Sequence, residues 1–389
     1  MAGHRRQVSL EGLIDFCAQG PLFANAHERA RAAARFYHIL NQFEAIEPNH
    51  SSQGPANGRS RSYNRPALIR LTFEYAPSTE SQDRFLAFFF RSLAIGMLDD
   101  ADPPFPDLGL AEAFFGVAEL LMANFFLPLR ASTHKTPQLS PAHHEALQQV
   151  LSQEEQQRMQ DFVGTPERLS ALRASCLTRD RNRCVVTRAF NQDEAIVRFG
   201  DDDGQALDDD GNPLLDGEIY EFLEVAHIIP YALTKADDSY IGEGKKAALA
   251  ILNMFDLGVA HLIEGVDINR SYNALTLSYH MHKLFGQYKI FFEQIPDADA
   301  PSTYRVGTFL HPALARPLPL VRTLFAHPTI DPPSDRLLAL HRAIAHILHH
   351  SGAGAYIDSI LRDMDDGVVR ADGSTNLGIM VDLALRVHS

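Results

Sequence analysis

The stretch "FLEVAHIIPYAL", residues 222–233, decides how this chain is read. It is a short apolar run carrying one proline, Pro230, one glutamate, Glu224, and one histidine, His227. Its length and apolar character predict a strand. A lone histidine in such a strand is ordinarily a satisfied core side chain, so a chemical role needs partners elsewhere. They stand downstream in "SYNALTLSYHMHKLFGQ", residues 271–287. There "NALTLS" (273–278) reads as a second strand, and the segment after it as a helix capped by Ser278. Asn273 opens the strand, and His282 follows on the helix nine residues later.

Further out, composition sets bounds. The chain has 389 residues, 45% hydrophobic and 22% charged, which is ordinary globular usage and enough for two or three domains. Three cysteines (Cys17, Cys176 and Cys184) form no closely spaced framework, so free thiols are expected. "MAGHRRQVSLEG" at the start has basic residues but no following apolar core, so no signal peptide is read there. The long apolar run "LGLAEAFFGVAELLMANFFLPL" (108–129) carries Glu112, Glu119 and Asn124, and is expected to be a buried helix rather than a membrane span. An intracellular protein of nucleus or cytoplasm, with no membrane partner, is the expectation. The net charge of -14 argues at first sight against nucleic acid, but its distribution matters more than its sum. Residues 165–198 hold seven arginines against four acidic residues, and 201–218 hold eight acidic residues and no basic one.

The expected organisation is a helical N-terminal region over 1–164, a small α+β domain over 165–295, and a helical C-terminal region over 296–389. Within the first, residues 9–46 show helical spacing, 51–66 read as a Ser/Gly/Pro-rich loop, and two apolar helices (84–101 and 108–127) pack as a hairpin with Pro128 ending the second. A Gln/Glu-rich helix runs to about Phe162. Thr165, Pro166 and Glu167 start the next helix and mark the boundary. "RCVVTRAF" and "EAIVRFG" read as strands around an "NQD" turn, and the acidic run 201–218 as a hairpin tip, since no register of it fits a calcium loop. Helices are expected at 244–256 and 334–350, and a strand at 288–294. His346 and His350, opposite the apolar stripe of the 334–350 helix, are expected in solvent.

His227 before "IIP", with Asn273 and His282 in "NALTLSYHMHKLF", resembles the HNH family of ββα-metal endonucleases. More narrowly, residues 126–295, including the connector "LPLRASTHKTPQLSPAHHEA", resemble the HNH-domain proteins abundant in filamentous fungi. The resemblance implies a ββα-metal module embedded between helical segments, hydrolysing phosphodiester bonds in DNA. It assigns His227 as the general base that activates water, a role suited to an imidazole. It assigns Asn273 to fixing the tautomer of that ring, and His282 to holding a divalent metal. Many family members place a metal-binding Asp or His directly before the base, where this chain has Ala226. Glu224 shares its strand face and is the expected second ligand, with His280 as the other candidate. So small a protein ligand set suits Mg²⁺ or Mn²⁺. The paired CxxC motifs of zinc-bearing relatives are missing, so no structural zinc is expected and Cys184 is read as a buried hydrophobe. Arg179, Arg181, Arg183, Arg188 and Lys283 are the expected phosphate contacts. Two other readings stay open. One is an HNH scaffold diverged toward binding, regulation or another reaction; the other is a partner-binding protein that self-associates through the 84–129 hairpin.

Overall fold

The computed structural model describes residues 22–46, 62–99, 107–133, 166–201, 206–214, 217–230, 243–263, 265–296, 300–315 and 318–366. Cys17, the Gln/Glu-rich helix to Phe162, the cap at Thr165 and the loop over 51–61 lie outside them. Backbone contacts divide the chain into two units. One draws on Met1–Ala131, Asp238–Ala260 and His346–Ser389, the other on Ser132–Asp237 and His261–Ala345.

The described residues of the first unit are mainly helical. Asn64 accepts the Ala67 N–H and Ser78 the Ser81 N–H, which starts the helices Arg65–Glu74 and Thr79–Ser92 at those residues. The second of these supplies the aromatic core together with Ala26–Ile46, Leu108–Leu121 and Met122–Phe126. Phe36, Phe85, Phe89, Phe114 and Phe125 are buried, Phe43 stacks on Phe114 at 4.1 Å, and Phe125 stacks on Phe255 of the helix Glu243–Phe255 at 5.4 Å. Pro128 does not end its helix, as its missing N–H suggested. A π turn over Met122–Phe126 precedes it, and the chain continues helically through Leu127–Ser132. The wider turn shifts the hydrogen-bond register ahead of the proline, which is how a helix accommodates one. By length and composition Leu108–Ser132 is the one helix among the described residues that could cross a membrane; half of its most apolar window is buried inside the protein. His346 is half-buried against Tyr75, their rings stacked at 4.8 Å, instead of standing in solvent like His350.

The second unit carries the strands. β1 (Phe190–Asn191) pairs in parallel with β2 (Tyr220–Glu221). β3 (Leu223–His227) pairs antiparallel with β4 (Ala274–Ser278). β5 (Ile290–Gln294), β6 (Thr303–Thr308) and β7 (Leu320–Thr323) form an antiparallel sheet that continues across position 296. With helices and small sheets together, the class is α+β. Two strand expectations change. "EAIVRFG" lies in a helix, Gln192–Asp201, whose first turn holds Asp193 and Glu194. Those carboxylates favour a helix N-terminus, and Ala195 is buried with Phe190, Ala206 and Leu214. Residues 185–187 form a turn, leaving from "RCVVTRAF" an Arg183–Phe190 bridge and Phe190 at the start of β1. The acidic run does make a hairpin: Leu207 pairs with Pro213, and Gly211 takes the left-handed conformation (φ +81°) that its tip requires.

His341, on the helix Asp335–His350, lies between Phe285 (centroids 3.8 Å) and Tyr288 (4.6 Å), with Nε2 3.2 Å from the Phe285 carbonyl. Burial lowers its pKa to about 3. The folded state therefore binds fewer protons than the unfolded one, so this residue's support is complete above the unfolded value near 6.5 and is lost as pH falls toward 3. Between pH 7.5 and pH 5 it should cost about 2 kcal/mol. Urea midpoints at the two pH values check this, and His341→Phe should flatten the difference.

Candidate active site

The ladder of β3 and β4 sets Glu224 opposite Leu277, Ala226 opposite Leu275 and His227 opposite Ala274. The chain turns at Ser278 straight into the helix Tyr279–Gly286, which packs back on both strands. That return brings His282 onto β3: its Nδ1 lies 2.6 Å from Glu224 Oε2, with both side chains mostly buried. A carboxylate can only accept, so Nδ1 is the donor and the tautomer of His282 is fixed. Nε2 of His282 and Oε1 of Glu224 are the two atoms this contact leaves to a ligand. Ala226 is buried beside them and supplies no polar group. His280 is exposed on the same helix. Among the described residues no three His, Cys, Asp or Glu side chains gather as a metal-binding group.

His227 ends β3 and is half-buried. Nε2 lies 3.1 Å from Asn269 Oδ1, while Nδ1 is buried with no hydrogen-bond partner among the described residues. Burial is the main cause that lowers the His227 pKa to about 4; the neighbouring His282 pushes the same way and Asn269 opposes it. The ring is therefore neutral at physiological pH. If Nε2–H donates to Asn269, the lone pair on Nδ1 is the basic site.

Asn273 has another task than the tautomer role expected of it. Its side chain is fully buried; Oδ1 accepts the Ile229 N–H at 3.0 Å, and Nδ2 donates to the carbonyls of Ile229 (3.1 Å) and Ile268 (3.0 Å). Its own carbonyl accepts the Ile228 N–H at 2.8 Å. Asn273 thus clamps the backbone that leaves His227 to the segment that carries Asn269. The residue touching the imidazole, Asn269, sits four positions earlier in "DINRSYN". Only a second asparagine in that segment hinted at it.

The arginines divide. Arg179 is interior, paired with Asp180 at 2.8 Å and donating to the carbonyls of Ser271 (2.7 Å) and Ala274 (2.9 Å). Asp180 in turn accepts the Thr276 N–H at 3.2 Å. This buried pair pins β4, and its burial takes Arg179 out of reach of a phosphate backbone. Arg181 pairs with Asp210 at 2.5 Å, Arg183 with Asp208 (3.0 Å) and Glu218, and Arg198 with Asp209 at 2.6 Å. The basic and acidic blocks of the sequence therefore largely meet each other. Arg188 donates to the Thr323 carbonyl at 2.5 Å and lies 4.2 Å from the centre of the Phe325 ring. Lys283, next to His282, is exposed. A cation the sequence did not single out, Arg173, donates to the Leu223 carbonyl at 2.8 Å, close enough for its charge to act on Glu224. Cys184 is fully buried, and burial pushes the Cys176 thiol up to about 12.

Searches of curated proteins and of solved structures returned no match. A family model described as HNH endonuclease matches residues 184–293, the stretch that holds β3, β4, the His282 helix and β5, so this part of the chain is similar to an HNH endonuclease domain.

Proposed function

We propose that the protein is a metal-dependent endonuclease that hydrolyses phosphodiester bonds in DNA. The observation that carries this reading is the meeting of an imidazole–carboxylate pair, His282 and Glu224, with a neutral imidazole, His227, inside the family-matching segment. Neutral His227 takes a proton from the attacking water, and Asn269 holds its ring while it does so. Asn273 fixes the backbone that positions both. The donor set left by the Glu224–His282 contact, one imidazole nitrogen and one carboxylate oxygen, fits a hard ion that keeps several waters, such as Mg²⁺ or Mn²⁺. Such an ion, when bound, neutralises charge on the phosphate and on the departing 3′ oxygen. Glu224 holds His282 in the tautomer that turns Nε2 to the ligand, and exposed Lys283 adds a positive charge beside it.

The self-satisfied Glu224–His282 contact and the absence of a third ligating side chain among the described residues favour a second reading, a scaffold diverged from catalysis. Calorimetric titration with Mn²⁺ separates the two. The wild type is expected to bind one ion, His282→Ala to lose that heat, and Glu224→Ala to weaken binding about tenfold or more. No heat with the wild type would favour the scaffold.

A further inference from the structure

Two large aromatic side chains beside the site are left in solvent: Phe222 is 55% exposed and Tyr279 63%. They adjoin, because the Tyr279 N–H donates to the Phe222 carbonyl at 3.3 Å. Each stands one structural repeat from a residue of the site. Phe222 stands immediately before β3, two residues ahead of Glu224, and Tyr279 precedes His282 by three, which puts it on the same side of the helix. The Glu224–His282 contact ties β3 and the helix together two and three residues beyond this pair. Lys283, one turn after Tyr279, is exposed on that side.

We propose that Phe222 and Tyr279 form a stacking platform for the unpaired bases of a single DNA strand whose backbone enters the site. The proposal rests on the phosphodiester reading above and adds the substrate class. Aromatic faces bind any base through its π surface, so the platform is tolerant of sequence; in a duplex those surfaces are covered by neighbouring pairs. The continuity of the aromatic pair with Glu224 and His282, and the cation at Lys283, single out a nucleic-acid strand over an apolar partner. Such a partner would meet a charged, half-buried site at the edge of its contact.

The test uses the full chain in a His227→Ala background, which keeps the strand intact. The probe is a fluorescein-labelled oligodeoxythymidine carrying one 2-aminopurine, compared with its duplex. The strand is expected to bind more tightly than the duplex and its 2-aminopurine fluorescence to be quenched. Phe222→Ala and Tyr279→Ala should each weaken strand binding about tenfold. They should remove the quenching and leave duplex binding unchanged, and Tyr279→Phe should keep both properties of the parent. Equal affinity for strand and duplex, or a double alanine variant that binds the strand like its parent, overturns the proposal. So does a change of sedimentation in that double variant without any change in DNA binding, which would mark a contact between copies of the chain. Failure of the underlying reading looks different. Wild-type protein that binds and quenches the strand yet cuts no DNA keeps the platform and loses the hydrolysis; cutting strand and duplex alike without quenching does the reverse.

Discussion

His227→Ala is expected to lower the single-turnover rate of DNA cleavage by roughly 10²–10⁴-fold, the range that a positioned general base supplies. The loss should appear in the chemical step and not in ion binding, because the atoms left to the ion belong to Glu224 and His282. Mn²⁺ titration of the variant should therefore resemble that of the wild type. Asn269→Ala should give a smaller fall, since the ring stays in place but loses its hydrogen bond at Nε2. The acidic limb of the rate profile adds a check with a definite sign. With its pKa lowered to about 4, His227 is already neutral at pH 5, so the rate should not fall through 6.5 as it would for a solvated imidazole. Asn269→Asp places a negative charge against Nε2, favours the imidazolium and should move that limb upward. An unchanged rate in His227→Ala would remove this residue from the chemistry.

Asn273→Ala is expected to act on stability. Truncation strands the buried Ile229 N–H and the carbonyls of Ile229 and Ile268 together. Leaving such groups unpaired costs about 1–3 kcal/mol each, so a loss of at least about 3 kcal/mol is expected. For a unit of this size that lowers the thermal midpoint by about 6–12 °C, measurable by circular dichroism. Asn269→Ala, which removes one side-chain contact, should shift the midpoint far less. If Asn273→Ala melts like the wild type yet cuts no DNA, Asn273 acts on the reaction and the clamp assignment is wrong.

Much of the central module was legible because its signals are local. An apolar five-residue run before a proline, a strand opened by asparagine and a serine-started helix place β3, β4 and the helix Tyr279–Gly286 where their side-chain types demand. Alternation along β3 pointed to Glu224, and the structure sets it on His282. What failed depended on partners distant in sequence. "EAIVRFG" has the β-branched content of a strand, but packing of Ala195 against Phe190 and Leu214 makes it helical. β6 and β7 sit among prolines and show little beyond the pairing of β6 with β5 and of β7 with β6. Spacing singled out Asn273 and not Asn269, since nothing in a linear pattern tells which of two asparagines faces a ring. The arginine block read as a basic surface until the hairpin at 206–214 folded its carboxylates onto Arg181, Arg183 and Arg198.

The most direct measurement is nicking of supercoiled plasmid by wild-type protein and His227→Ala, purified in parallel and incubated with Mg²⁺, Mn²⁺ or EDTA. Nicking is expected from the wild type with either ion, none in EDTA, and none above background from the variant. Equal nicking by the two proteins, or none by the wild type under any condition, would contradict the proposed function.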